Sequence, residues 1–499
     1  MNYQSTRSRA DEVCSAQAIS QGLCGDGGLF VPEEFPVVMP QELSEMENES
    51  YQQRAERILS RYLTDFTDEE IHECVSSAYT SESFPDGPAP VVKLGGKVFF
   101  LELWHGPTCA FKDMALQLLP HLMTRSLKKI HSGKEALILV ATSGDTGKAA
   151  LEGFRDVEGT KILVFYPQDG VSPMQERQMR TQEGQNVAVC AVEGNFDDAQ
   201  TGVKRIFNHQ EIQHNLAEKG LMFSSANSIN WGRLLPQIVY YFSAYCDLCA
   251  RGEIHKGEPI NFVVPTGNFG NILAAYYAKK MGLPVKKLIC ASNANNVLTD
   301  FLTTGVYSRN REFYTTISPS MDILISSNLE RLLYDLTDRN TEQVSAWMKQ
   351  LTETGEYRVD DEILAKIREQ FYAGFCNDDE TREEMKSLFE KQGYLCDPHT
   401  AVAAHVYQNY RTETGDETPT VVVSTASPYK FAPEVLKALE EKAPADDEFE
   451  AVKHLSSLTD TRIPRPIAAL ESKPIRFSSA CKKEEMGAAV LKILDSKSV

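Results

Sequence analysis

The sequence predicts an α/β protein built on parallel sheets flanked by helices, with a mostly helical domain at its N-terminus. Three observations lead there. From about residue 136, short β-rich runs (ALILVATSG, KILVFYP, NVAVCAVEG) alternate with helical segments (KAALEGF, SPMQERQMRTQEG, DDAQTGVKRIFN), which is the pattern of βαβ units. Two later runs, INFVVP and TPTVVVS, are mostly apolar and β-rich without a clean polar alternation, as strands covered on both faces are. Finally, ATSGDTG and PTGNFGN place loops of small residues where a strand passes into a helix. In open parallel sheets, ligands bind beyond those carboxyl ends.

Composition narrows the function. The chain has 499 residues, enough for about three domains, and carries 51 basic against 70 acidic side chains, a net charge of -19. Such a surface repels nucleic acid and anionic membrane, so neither is an expected partner. No apolar run is long enough to span a bilayer. The opening MNYQSTRSRADEV lacks the apolar core of a signal peptide, and a cytoplasmic location is expected. The 11 cysteines are scattered and often sit in apolar runs, which suits reduced core thiols. Cys246 and Cys249 form a single CxxC within a helical run, so helix packing is favoured over zinc, and no metal site is predicted.

Taken in order, residues 1–95 read as the helical leader, with DGG (Asp26–Gly28) as a tight turn and Thr67 as a helix cap. The stretch LELWHGPTCAFKDMALQLLP then completes a strand begun at Val98, turns at Gly106-Pro107 and enters a helix near Ala115. Lys112 falls at that junction. Either it snorkels at a helix start, or it is a partly desolvated amine whose lowered pKa suits covalent and acid/base chemistry. His105 in the same turn is read as a structural hydrogen-bonding group.

The loop Ala141–Gly147 can cradle an anion with backbone N–H groups, or can simply be a capped turn. In FSSANSINWGRLLPQIVYYF, Trp231 suits the core, while Asn227, Ser228 and Arg233 suit either capping or a phosphate-bearing ligand. The loop after INFVVP contains no Lys or Arg, so any phosphate there is held by amides and a helix end. Thr341 to Lys391 reads as exposed helices, Asp397–Thr400 as a turn and cap, and Ser424–Ser427 as the end of a last buried strand, with Lys430 directed to the entrance or to solvent.

HGPTCAFKD resembles the lysine motif of threonine synthases, pyridoxal-phosphate enzymes that share the tryptophan synthase β-subunit fold. YQSTR, SGDTG, the NSINWGR stretch, GNFG, SPSMDI and STASPYKF resemble further segments of that family, in its order. The resemblance implies fold-type II architecture. The corresponding spans are an N-terminal domain over 1–95, a large cofactor domain over 96–130 and 235–440, a small α/β domain over 131–234, and a tail over 441–499 that packs back on the core. It implies pyridoxal 5′-phosphate joined to Lys112 as a Schiff base. Gly267, Asn268, Phe269 and Gly270 would hold the cofactor phosphate, and Thr425 would face the pyridine nitrogen. Ser143, Gly144, Asp145 and Thr146 would take the substrate carboxylate, with Asp145 where the wider family has Asn. Asn227, Ser228 and Arg233 would serve the substrate phosphate. The implied reaction converts O-phospho-L-homoserine and water to L-threonine and phosphate, in a monomer or homodimer. The alternatives are a threonine-synthase-like phospho-lyase that releases a 2-oxo acid, and a non-catalytic relict sensor.

Overall fold

The sheet that carries the lysine motif has six strands, in the order Phe371–Phe375, Val285–Ser292, Ile260–Pro265, Thr420–Ser424, Val98–Glu102, Val91–Gly95. The computed structural model describes residues 1–9, 12–440 and 447–495; part of the expected acidic link after Glu440 lies outside them. Neighbouring strands are parallel, except that Val91–Gly95 pairs antiparallel with Val98–Glu102. The two innermost strands, Ile260–Pro265 and Thr420–Ser424, are buried at every residue, which explains their mostly apolar character; the Asn261 amide they bury donates to Asp416 at 3.1 Å.

A second sheet has five strands, all parallel, ordered Ala480–Lys482, Val187–Glu193, Thr160–Pro167, Glu135–Ala141, Leu221–Ser224. The expected alternation is present: helices Asp145–Phe154, Pro173–Arg180 and Phe196–Phe207 connect these strands. Two strands join the sheets from outside the spans expected for them. Val91–Gly95 is an edge of the large sheet, and Ala480–Lys482, from the tail, is an edge of the small one.

One segment departs from the sequence reading. Thr341 to Lys391 is not helical throughout, because FYAGF at Phe371–Phe375 forms the far edge of the large sheet. Its Gly and its short length hide it between two long helical patterns.

The N-terminal region supplies helices Ser15–Gln21, Pro40–Met46, Tyr51–Tyr62 and Asp68–Ala78. Ser50 and Thr67 form reciprocal capping boxes with Gln53 and Glu70, which fixes where two of these helices begin. The 20-residue helix Trp231–Ala250 packs against Tyr51–Tyr62, the helix Gly270–Lys280 and the short helix Asp113–Leu116. Its Cys246 is buried in that packing, and Trp231 meets Tyr3 and Tyr62 in tilted and edge-to-face contacts at ring-centroid distances of 5.2 and 5.4 Å. Arg331, fully buried, donates to the Phe30 carbonyl (3.0 Å), to Asn328 Oδ1 (2.6 Å) and to the Ile229 carbonyl (2.7 Å). Among the described residues, no helix is long and apolar enough to cross a membrane.

Candidate active site

The carboxyl ends of Val98–Glu102, Ile260–Pro265 and Thr420–Ser424 lie side by side, because these strands are parallel neighbours. The segment after the first of them turns through Gly106 and Thr108 before reaching Lys112. Asp113 fixes that turn: its carboxylate accepts from the Thr108 N–H (2.8 Å) and from Thr108 Oγ1 (2.6 Å). The Phe111 N–H donates to the Thr425 carbonyl at 2.8 Å, and Ala110 bridges Ala426, so the lysine loop is stitched to the end of the central strand. His105 pairs with Glu102 at 2.8 Å, in keeping with the structural role expected of it.

Lys112 is the residue that begins helix Asp113–Leu116, and its side chain is 11% exposed. Nζ donates to Ser320 Oγ at 3.3 Å, lies 3.7 Å from Asp145 Oδ2 and stands 5.0 Å from the Phe111 ring centroid. It does not snorkel. Burial pushes its ammonium down to about 8 against the pull of Asp145, with Lys430 and Arg233 adding to the depression.

Asp145 is buried at the start of helix Asp145–Phe154. Its Oδ1 accepts from Lys430 Nζ (2.6 Å) and Gln175 Nε2 (3.0 Å), whereas Oδ2 faces Ser320 Oγ (3.5 Å) and Lys112. Burial alone would raise this carboxyl, but the two lysines outweigh it and hold it well below the usual carboxylate range. Gly144 has φ +142° and packs against the Gln175 side chain so closely that a Cβ would overlap it. Ser143 in the same loop is exposed and Thr146 is half-buried.

Lys430 faces neither entrance nor solvent. Its side chain is 0% exposed and its Nζ also donates to the Thr108 carbonyl at 3.2 Å. The short 3₁₀ turn Pro428–Phe431 turns it inward beneath the lysine loop, a placement that local spacing does not reveal.

The GNFG loop, Gly267 to Gly270, follows strand Ile260–Pro265 at its carboxyl end. Phe269 has φ +62° and precedes helix Gly270–Lys280, so the chain enters that helix from a left-handed residue. A Cβ on Gly267 would stand 2.9 Å from the Ser320 carbonyl oxygen and 3.2 Å from Met321 Cα, which leaves the backbone close to Ser320 with no side chain between. The Asn268 carbonyl is held by Asn328 through its N–H and Nδ2, both at 3.1 Å.

Arg233 is buried, donates to the Ala226 carbonyl at 2.8 Å and has a buried Nε with no protein partner. A guanidinium so placed has capacity for an anion. Asn227 is exposed and Ser228 half-buried; among the described residues no hydrogen bond links either to Lys112, Asp145 or Ser320. The cap of helix Trp231–Ala250 is Asn230, whose Oδ1 accepts from the Gly232 N–H at 2.8 Å.

Sequence reasoning gave Ser320 only a supporting place and left out Gln175. His399 holds Ser320: Nε2 accepts the Ser320 N–H at 3.1 Å, which puts the ring proton on Nδ1, 2.6 Å from Asp397 Oδ2. Asp397 also caps helix Pro398–Thr414, so the cap that the sequence shows has a second task beside the lysine.

Three family models match most of the chain: threonine synthase N terminus over residues 2–79, pyridoxal-phosphate dependent enzyme over 83–361, and threonine synthase, C-terminal, over 400–489. The chain belongs to the threonine synthase family of pyridoxal-phosphate enzymes. It is 39% identical to a threonine synthase of Pseudomonas aeruginosa, over 89% of this chain and 92% of that protein. It is 42% identical to human threonine synthase-like 1 over 86% of this chain, and it spans 58% of the length of that longer relative. The crystal structure of pyridoxal-phosphate-bound threonine synthase from Brucella melitensis superimposes with a TM-score of 0.87 at 36% identity, covering 100% of this chain and 99% of that one. The yeast threonine synthase gives 0.88 at 34%, covering 99% and 98%. The architecture is therefore fold-type II and the cofactor is pyridoxal 5′-phosphate. The residues in place fit it: a buried amine of depressed pKa, a loop open to an anion at Gly267–Gly270, and the neutral residue Thr425 at the end of the central strand.

Proposed function

We propose that this chain is a threonine synthase, converting O-phospho-L-homoserine and water to L-threonine and phosphate. The observation that carries the reading is Lys112, buried between Ser320 and Asp145 in a chain that matches threonine synthases over about nine-tenths of their length. Pyridoxal phosphate, when bound, supplies the electron sink that stabilises negative charge at the substrate's α-carbon.

The side chains supply the rest. Lys112 carries the cofactor and moves protons at the substrate Cα and Cβ; an amine that titrates near 8 can both take and return a proton at neutral pH. Ser320 and Asp145 Oδ2 orient that amine. The amides of Gly267, Asn268, Phe269 and Gly270 hold the cofactor phosphate at the helix terminus, and Thr425 meets the ring nitrogen. Ser143, Gly144, Asp145 and Thr146 form the loop that receives the substrate carboxylate. Arg233, with its free Nε, is the anchor for a substrate phosphate, and Asn227 and Ser228 border the same approach. Phosphate then leaves from Cγ and water adds at Cβ.

A second reading, a phospho-lyase of the same fold that releases a 2-oxo acid and ammonia, would use the same lysine, loops and phosphate site. Product analysis separates the two. The purified protein is expected to show a visible absorbance band that Lys112→Ala removes, and to form threonine and phosphate in equal amounts from O-phospho-L-homoserine. Accumulation of a 2-oxo acid in place of threonine would favour the lyase. The absence of any band would leave a non-catalytic relict.

A further inference from the structure

Lys430 has no place in the chemistry just described, yet its Nζ is the ammonium nearest to Asp145. A fully buried lysine is costly unless it is paired, so its partner deserves scrutiny. That partner divides its two oxygens. Oδ1 is occupied by Lys430 and Gln175, and Oδ2 is left to Lys112 and Ser320. One carboxylate thus serves two lysines, of which only Lys112 lies at the end of the lysine loop beside Ser320.

We infer that Lys430 is a positioning residue that saturates Oδ1 of Asp145 and so keeps Lys112 from being locked to the same carboxylate as an ammonium. The arithmetic of charge supports this. With Lys112 and Lys430 both charged, Asp145 is outnumbered, and Lys112 can lose its proton without leaving Asp145 unpaired. Without the Lys430 charge, Asp145 would be a buried anion whose remaining ion-pair partner among the described residues is Lys112, 3.7 Å away, and the Lys112 ammonium would be retained to higher pH. The other charged or titratable groups facing these lysines and Asp145 are Cys109 in the lysine loop, whose thiol burial pushes up to about 12, Asp113 on the lysine's own helix, Arg233 on helix Trp231–Ala250, Lys148, which is paired with Glu152, and His399, which acts through Ser320. Asp113 is engaged by Thr108 and His399 by Asp397, so neither can take over the role of Lys430.

The inference rests on Lys112 as the amine that carries the cofactor, not on the identity of the substrate. Its test uses full-length protein freed of cofactor and remixed with pyridoxal phosphate at a series of pH values, reading the growth of the visible band. In that step the ammonium first loses its proton to solvent; the free amine then adds to the aldehyde carbon, and water leaves as the C=N bond forms. The rate therefore follows the unprotonated fraction of Lys112. Lys430→Met is expected to move the midpoint of the rate profile up by about one pH unit, and Asp145→Asn to move it down. Lys430→Arg, which keeps the charge, is expected to restore the wild-type midpoint. Should Lys430→Met fail to fold, Lys430→Gln, which removes the charge but keeps a hydrogen-bond donor toward Asp145 Oδ1, carries the same expected upward shift. An unchanged midpoint in a folded Lys430→Met, or a shift of both variants in the same direction, would overturn the inference. Persistence of the band in Lys112→Ala would instead refute the assignment of Lys112.

Discussion

Gly153 faces the Leu116 carbonyl oxygen so closely that an added Cβ would overlap it. The contact joins helix Asp145–Phe154, which begins with the carboxylate beside Lys112, to the short helix that begins with Lys112 itself. Since the obstacle is backbone, no rotamer can relieve it. Gly153→Ala is expected to destabilise the protein by about 1–3 kcal/mol and to weaken retention of pyridoxal phosphate, checked by urea unfolding and by cofactor release on dialysis. Gly267→Ala sets a milder conflict, 2.9 Å from the Ser320 carbonyl oxygen. There the expected result is about tenfold weaker cofactor affinity, roughly 1.4 kcal/mol, with unfolding little changed. At this scale the sequence was partly legible. Lys112, Asp145 and the GNFG loop stand at strand-to-helix junctions that local pattern reveals. Ser320, Gln175 and Lys430 reach the site from elements whose local sequence gives no sign of what they face.

Helix Asp378–Gln392 shows how an element can look exposed and yet bury a charge. Its surface is dense with acids, but Glu384 is 5% exposed and accepts from Gln408 Nε2 at 2.6 Å. Burial raises its carboxyl from the ordinary 4.5 to about 7, with Lys391 offsetting part of the effect. The native state therefore holds this proton more tightly than the unfolded chain does. The stability it contributes is fully present below about pH 4.5 and is lost as the pH rises through 7. Glu384→Gln, which keeps the hydrogen-bonding oxygen and removes the charge, is expected to raise the melting temperature at pH 8 and to leave it unchanged at pH 4. Scanning calorimetry at the two values checks this. Strand Phe371–Phe375, just before this helix, was the element that periodicity missed. A five-residue edge strand containing Gly374 offers too little alternation to stand out between helices of ten and fifteen residues.

Across the whole molecule, distant segments are tied together by buried polar groups. Arg331 holds Phe30, Ile229 and Asn328, and Asn328 in turn holds the Asn268 carbonyl of the phosphate loop. Glu330 beside it accepts from Thr6 (2.5 Å) and from Arg7 (2.8 and 2.7 Å). Arg331→Met would strand two buried carbonyls, so a loss of about 2–4 kcal/mol in stability is expected by chemical denaturation, together with faster cofactor release. The parallel architecture could be read in advance because buried strands and amphipathic helices have different periods. Which strands are neighbours could not be, since pairing is decided by packing between segments hundreds of residues apart. Thr420–Ser424 lies between Ile260–Pro265 and Val98–Glu102, so the centre of the large sheet is filled by a strand made well after both of its neighbours. Four strands of the small sheet and the helices between them are complete by residue 224 and can form during synthesis, leaving Ala480–Lys482 to cover one edge and helix Met486–Asp495 to join the same core. Until residue 424 emerges, the nascent large sheet is split in two, with Val98–Glu102 and Ile260–Pro265 each exposing an apolar edge and Lys112 attached to one of them. A chain halted before that point is an open template for strand addition.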